Sequence, residues 1–292
     1  MPSMSSSAAN AVSGIPVPGF DRLTFLLPPA GSNLRQRLIS ALILTPVVLL
    51  AVYLGGWVYA LAVAAAVGLG LGEWLRLVDP AAPRPVIAAM YAGLLLVLVP
   101  AACGWPGNSF LILLVLTPAA WWLTLNVNRD PVRARNIALG LPYMAGAGLA
   151  LVYLRALPDI GLPFVIYLLA VVWGTDIGAY LAGRIIGGPK LAPKISPQKT
   201  WAGFAGGLFL AAVLGYIVVL LLGAQPAGAS VIFAVLLSAV AQMGDLFKSF
   251  FKRRAGVKDS GSLIPGHGGI LDRIDGLAFA AIFFALFEAL AG

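Results

Sequence analysis

Charge, glycine and the protein's single histidine gather in one run of 27 residues, Ser249 to Asp275. Lys252, Arg253, Lys258 and Arg273 supply positive charge there, His267 stands between Gly266 and Gly268, and Gly269 follows. Cations beside glycines suit phosphate, because glycine lets backbone amides come close to an anion just before a helix begins. Asp272 and Asp275 close the run and are spaced to share a helix face, as are Asp245 and Gln242 just upstream. Acids in a first helical turn are ordinary capping chemistry, which is one reading of Asp272 and Asp275. Asp245 is expected to end its helix, where the macrodipole disfavours a carboxylate, so a cation should compensate it. Magnesium held jointly by Asp245 and Asp272 meets that need, since it takes one or two carboxylates together with substrate phosphates.

A second polar group lies upstream. Asp176 and Tyr180 share a helix face, and Lys194, Ser196, Lys199 and Thr200 follow in a loop stiffened by Pro193 and Pro197. An intramembrane carboxylate costs about 2.5–3.5 kcal/mol, so Asp176 should face a polar cavity or a cation. An interhelical hydrogen bond that only holds a bundle together is the plainer reading.

Both groups must be positioned by lipid-embedded helices. Of 292 residues, 60% are hydrophobic and 10% charged, with mean hydropathy +0.95, whereas soluble domains carry about 25% charged residues. The apolar runs are long and continuous rather than alternating, which predicts helices and not a barrel. Nine spans are expected, near 38–55, 57–78, 86–104, 109–125, 136–157, 163–184, 202–222, 230–247 and 270–291. The fold class is therefore an all-α polytopic membrane domain over residues 35–292, preceded by a Ser-, Gly- and Pro-rich tail over 1–34 that lacks a signal-peptide core. A cytoplasmic N-terminus puts 18 of the 19 basic residues on one side, with Arg155 the exception. The stretches 184–200 and 248–273 carry ten of them, which on charge alone could be topology signals or contacts to anionic lipid. Arg129, Arg133 and Arg135 receive only the topology reading, and Trp74, Trp105, Trp121 and Trp122 are expected at the interface. Glu73 is expected to pair with Arg76, three residues on. Cys103 is the only cysteine, so no intramolecular disulfide is available.

The run from Ser249 to Asp275, with its Lys252-Arg253, Lys258-Asp259, His267-Gly268-Gly269 and Asp272-Arg273-Ile274-Asp275 elements, resembles the signature of phosphatidate cytidylyltransferases. Trp173 to Tyr180 and Leu191 to Gly203 are similar to a second element of that family, so the signature region spans 173–275. Many members have Glu where Ala202 stands and a basic residue at Gln198, and no function is placed on those two positions. The resemblance implies transfer of a cytidylyl group from CTP to phosphatidic acid, giving CDP-diacylglycerol and pyrophosphate in phospholipid biosynthesis. It implies metal-binding aspartates at Asp245 and Asp272, magnesium with or without a second, monovalent cation, and a homodimer. A multi-pass protein of a bacterial inner membrane with its site facing the cytoplasm is expected, with the bilayer and the two substrates as partners and no nucleic acid.

On that reading Lys252, Arg253, Lys258, His267 and Arg273 form the catalytic group, which neutralises the phosphates and the charge growing on pyrophosphate. Asp176, Lys194, Ser196, Lys199, Thr200, Gly268 and Gly269 form the substrate-binding group. The nucleophile is already an anion, so His267 is read as a phosphate donor or loop organiser rather than a base. A CDP-alcohol phosphatidyltransferase would need an arginine after Ala278, where Phe279 stands. A CTP-dependent lipid kinase would share the nucleotide but not so long a signature. A transporter would spread polar residues along several helices and show an internal repeat, and neither is present.

Overall fold

The computed structural model describes residues 34–223, 227–257, 260–261 and 268–291. Ten α-helices follow in order: α1 (Leu34–Leu54), α2 (Gly56–Val78), α3 (Arg84–Ala102), α4 (Pro106–Asn128), α5 (Pro131–Ala138), α6 (Gly146–Ala156), α7 (Gly161–Ile185), α8 (Trp201–Leu221), α9 (Ala227–Arg254) and α10 (Leu271–Ala291). A π-helical turn, Leu141–Ala145, joins α5 to α6 into one 26-residue span. Among the described residues, eight spans are long and apolar enough to cross a membrane. They correspond to eight of the nine expected; the first expected span falls on α1, whose described apolar part is Leu42–Leu54. Large side chains such as Leu61, Val115 and Phe209 lie exposed on the outer faces, which suits lipid as the surrounding solvent.

Without a hydrophobic drive between helices in lipid, close packing of small residues sets which helices meet. Along the α7–α8 seam, a Cβ on Gly178 would lie 2.3 Å from the Gly206 carbonyl oxygen, and one on Gly206 would lie 2.2 Å from the Ala182 Cβ. The α9–α10 seam repeats the device, with a Cβ on Gly244 falling 2.6 Å from the Asp275 carbonyl oxygen. These two seams bring the polar stretches of α7, α9 and α10 together beside the N-terminus of α8.

One addition and several corrections concern the loops and helix ends. The 184–200 loop contains a short antiparallel hairpin, β1 (Lys190–Ala192) and β2 (Ser196–Thr200), paired Lys190 to Thr200 and Ala192 to Ser196. Helix α9 runs to Arg254, seven residues past the expected end. Asp245 therefore sits inside a helix and not at its C-terminus, and the dipole argument for it fails. Glu73 does not pair with Arg76; its carboxylate reaches the start of α10. Trp74 is not an interface residue: it is fully buried, donates its indole N–H to the Asn136 carbonyl at 3.0 Å and stacks on Phe247. Trp105, Trp121 and Trp122 are exposed, as interface residues should be. Arg133 does more than mark topology, because it forms a two-pronged pair with buried Asp79 and so ties α5 to the end of α2. Arg155 donates to the Val52 and Tyr53 carbonyls, satisfying acceptors left open at the end of α1.

Candidate functional site

A cavity of about 320 Å³ opens between α7, the hairpin, α8, α9 and the start of α10. Asp176 and Tyr180 of α7, Ser196, Lys199 and Thr200 of β2, Gln242 and Asp245 of α9, and Asp272 and Asp275 of α10 line it. Residues from both polar groups of the sequence thus line one cavity. Asp176 and Asp245 each lie nine residues before the C-terminal end of their helix, about 14 Å along the axis at 1.5 Å per residue.

The hairpin is set by α8. Thr200 is the N-cap of that helix, its hydroxyl accepting from the Gly203 amide at 3.0 Å, which satisfies one of the free donors of the first turn. The preceding residue, Lys199, is thereby aimed at α9, where its ammonium lies 2.7 Å from Asp245 Oδ2 and 3.4 Å from the Gln242 carbonyl. Gln242 in turn donates to the Phe204 carbonyl at 3.3 Å, linking α9 to α8.

Three lysines meet three aspartates at the α9–α10 contact. Lys248 is paired with Asp275, lies 3.0 Å from Asp272 Oδ1 and 3.6 Å from Asp245 Oδ1, and is 4% exposed. Lys252, one turn on, donates to Asp272 Oδ1 at 2.9 Å. Asp272 Oδ2 accepts from the Ser260 amide and hydroxyl, at 3.0 and 2.9 Å, and from the Gly269 amide at 3.3 Å. Ser249 donates to Asp245 Oδ1 at 3.4 Å.

The start of α10 is held from the other side by α2. Glu73, 3% exposed, accepts from the Ile270 amide at 3.0 Å, the Leu271 amide at 2.9 Å and the Ser260 hydroxyl at 3.2 Å. The favourable anion position at this helix N-terminus is thus filled by a protein carboxylate. A Cβ on Gly261 would come within 2.5 Å of Glu73, and one on Gly269 within 2.3 Å, so the seat for the carboxylate requires glycine at both places. Next to Glu73, Trp74 packs with Tyr143, Phe247 and Phe251, an aromatic wall behind the face of α9 that carries Lys248.

The remaining expected residues lie around this centre. Arg253 reaches from α9 to the Ile195 carbonyl at 3.2 Å and pins the tip of the hairpin. Lys194 is exposed at that tip, and Arg273 is exposed on the first turn of α10. Gly268 takes a left-handed φ of 79°, a conformation that glycine adopts without steric cost. Lys258 and His267 lie outside the described residues. Lys248 and Glu73 were missed in the sequence: the first stood beyond the expected end of its span, and the second has partners nearly 200 positions away.

Among the described residues no three His, Cys, Asp or Glu side chains converge as a ready metal cage. The donors present are hard carboxylate oxygens held apart by ammonium groups, with Asp245 39% exposed toward the cavity. That arrangement fits an ion which takes one or two protein carboxylates and completes its shell with phosphate and water, as magnesium does.

Residues 35–291 match the cytidylyltransferase family. A phosphatidate cytidylyltransferase of Brucella suis biovar 1 (strain 1330) is 40% identical over 260 residues, covering 89% of this chain and 94% of its own. Those of Haemophilus influenzae and Pseudomonas aeruginosa are 36% and 37% identical, over 87% and 86% of this chain and 98% and 96% of theirs. With Asp245, Asp272 and Lys199 gathered at one cavity among membrane-spanning helices, the chain belongs to the cytidylyltransferase family, in the company of phosphatidate cytidylyltransferases.

Proposed function

We propose that this protein transfers the cytidylyl group of CTP to phosphatidic acid at the cavity between α7 and α10. A phosphate oxygen of phosphatidic acid attacks the α-phosphorus of CTP, the bond from that phosphorus to the bridging oxygen breaks, and pyrophosphate leaves with the bonding electrons. CDP-diacylglycerol is the other product. The observation that carries this reading is that Asp245, Asp272 and Lys199 line one cavity in an otherwise apolar bundle, with Lys248 and Lys252 paired to Asp272 behind them.

The residues divide the work by charge. Asp245 and Asp272 would hold magnesium, which supplies charge neutralisation across the triphosphate and polarisation of the reacting phosphoryl group. Lys199 and Lys252 are the more exposed lysines, 22% and 15%. Once nucleotide is present, their ammonium groups turn from carboxylate to phosphate and stabilise the charge on departing pyrophosphate. Arg253, Arg273 and Lys194 at the rim draw the anionic substrates in and neutralise them, with Lys258 and His267 assigned to the same work from the signature. Asp176, Ser196 and Thr200 form the opposite wall and orient the nucleotide, while Gly268 and Gly269 let the loop close against its carboxylates. No strong base is needed, because the attacking phosphate is ionised at neutral pH. A site at the level of the lipid headgroups, facing the cytoplasm, lets a two-chain acceptor enter from the side of the bilayer.

Asp245→Asn and Asp272→Asn in the purified protein test this assignment. Each should lose on the order of 10²–10³ or more in kcat, the scale of removing one preorganised electrostatic group, while retaining wild-type elution in detergent. Appreciable turnover in either would remove it from the metal pair.

A further inference from the structure

Each aspartate of the α9–α10 contact has its own lysine: Asp245 with Lys199, Asp272 with Lys252 and Asp275 with Lys248. The three lysines are not equivalent. Lys199 and Lys252 touch one aspartate each and are 22% and 15% exposed, whereas Lys248 is 4% exposed and lies within ion-pair distance of all three. Its path outward is closed, since it projects from α9, six residues before the end of the helix, into the seam where Gly244 brings α10 close. Three carboxylates this near one another repel strongly in a medium of low polarity, and a cation must sit among them.

We infer that Lys248 is the permanent cation of this cluster, a positioning residue that commits Asp275 to structure and leaves Asp245 and Asp272 to share a single divalent ion. Its ammonium occupies the place a second metal ion would otherwise take, so this chain has no need of a second, monovalent cation. Lys199 and Lys252 can exchange their carboxylates for phosphate because water reaches them; Lys248 cannot. The inference rests on the reading of Asp245 and Asp272 as the metal pair, but its own prediction concerns the protein without nucleotide or turnover.

The experiment uses the full chain in nanodiscs, with Lys248→Met, Lys248→Met/Asp275→Asn and the wild type compared. Thermal unfolding is followed in choline, sodium, potassium and magnesium chloride at equal ionic strength, and Mn²⁺ binding is counted by electron paramagnetic resonance. The wild type should unfold at one temperature in choline, sodium and potassium, and should bind one Mn²⁺. Lys248→Met should unfold several degrees lower in choline, recover in sodium or potassium, and bind one additional cation. The double variant, which loses one charge of each sign, should return to monovalent-independent unfolding. A single variant as insensitive to cations as the wild type overturns the inference, as does a double variant that recovers nothing the single variant lost, including when neither folds. Cation-dependent unfolding of Lys248→Met with no Mn²⁺ bound by the wild type would keep Lys248 in its role and instead refute the metal pair.

Discussion

Replacing Glu73 by Gln tests whether α2 sets the position of Asp272. The carboxylate accepts from the Ile270 and Leu271 amides and from Ser260. Glutamine can set its one acceptor oxygen where Oε2 serves Leu271 and Ser260, which puts the NH₂ group against the Ile270 N–H, so one of the three bonds is lost and the other two lose their charge assistance. The lost charge-assisted bond is worth about 1.5–3 kcal/mol and each kept bond falls to the neutral range at a cost of about 1 kcal/mol, giving about 3.5–5 kcal/mol. Part of that is offset because a buried anion no longer needs to be desolvated, which leaves about 2–4 kcal/mol. At about 1.4 kcal/mol per tenfold, the ordered start of α10 should open about 30- to 700-fold more often. Hydrogen exchange at the Ile270 and Leu271 amides reads this directly, and kcat should fall because Asp272 is one residue beyond them. Glu73→Asp, which keeps the charge but is one methylene shorter, should lie between the two. Wild-type exchange and wild-type kcat in Glu73→Gln would refute the claim that this carboxylate positions the loop.

Other residues give sharper contrasts. Lys199→Met should raise KM for CTP more than it lowers the thermal stability, because Lys199 is part-exposed and its partner Asp245 faces the cavity; an unchanged kcat/KM for CTP would remove it from the phosphate site. Gly178→Leu should prevent stable folding, since even a Cβ would stand 2.3 Å from the Gly206 carbonyl oxygen, and a monodisperse variant would show that the α7–α8 seam is looser than described. Arg133→Met leaves buried Asp79 without its cation, and because Arg133 is 38% exposed and Asp79 keeps the Ala81 amide, the loss should be about 1–3 kcal/mol. A clear drop in unfolding temperature with kcat/KM preserved in the folded fraction is expected, whereas lost catalysis at unchanged stability would contradict a structural role.

The all-α fold, the membrane setting and eight of the nine expected spans were legible in the sequence because lipid imposes a length and a composition on every span. Asp176, Ser196, Lys199, Thr200, Asp245 and Asp272 were named from residue type and spacing together with the family resemblance, and all line one cavity. What could not be read was the far partner. Glu73 has an arginine three residues away, and local spacing favours that pair until the fold delivers the amides of α10. Lys248 looked like the first basic residue of a loop because hydropathy falls there, yet α9 continues for almost two more turns, with Lys248 and Ser249 buried and Arg253 and Arg254 exposed at its end. Trp74 shows the same limit, since an aromatic near a charged loop reads as an interface residue unless its buried partners are known. The hairpin of β1 and β2 is too short and too polar to carry a period-two signal.

The central claim is the reaction itself. Purified protein given phosphatidic acid in mixed micelles and CTP labelled at the α-phosphate should move label into chloroform-soluble lipid, with one pyrophosphate released per label and none of either once magnesium is chelated. Absence of lipid label from a correctly folded preparation, or label appearing without pyrophosphate, would contradict cytidylyl transfer at this site.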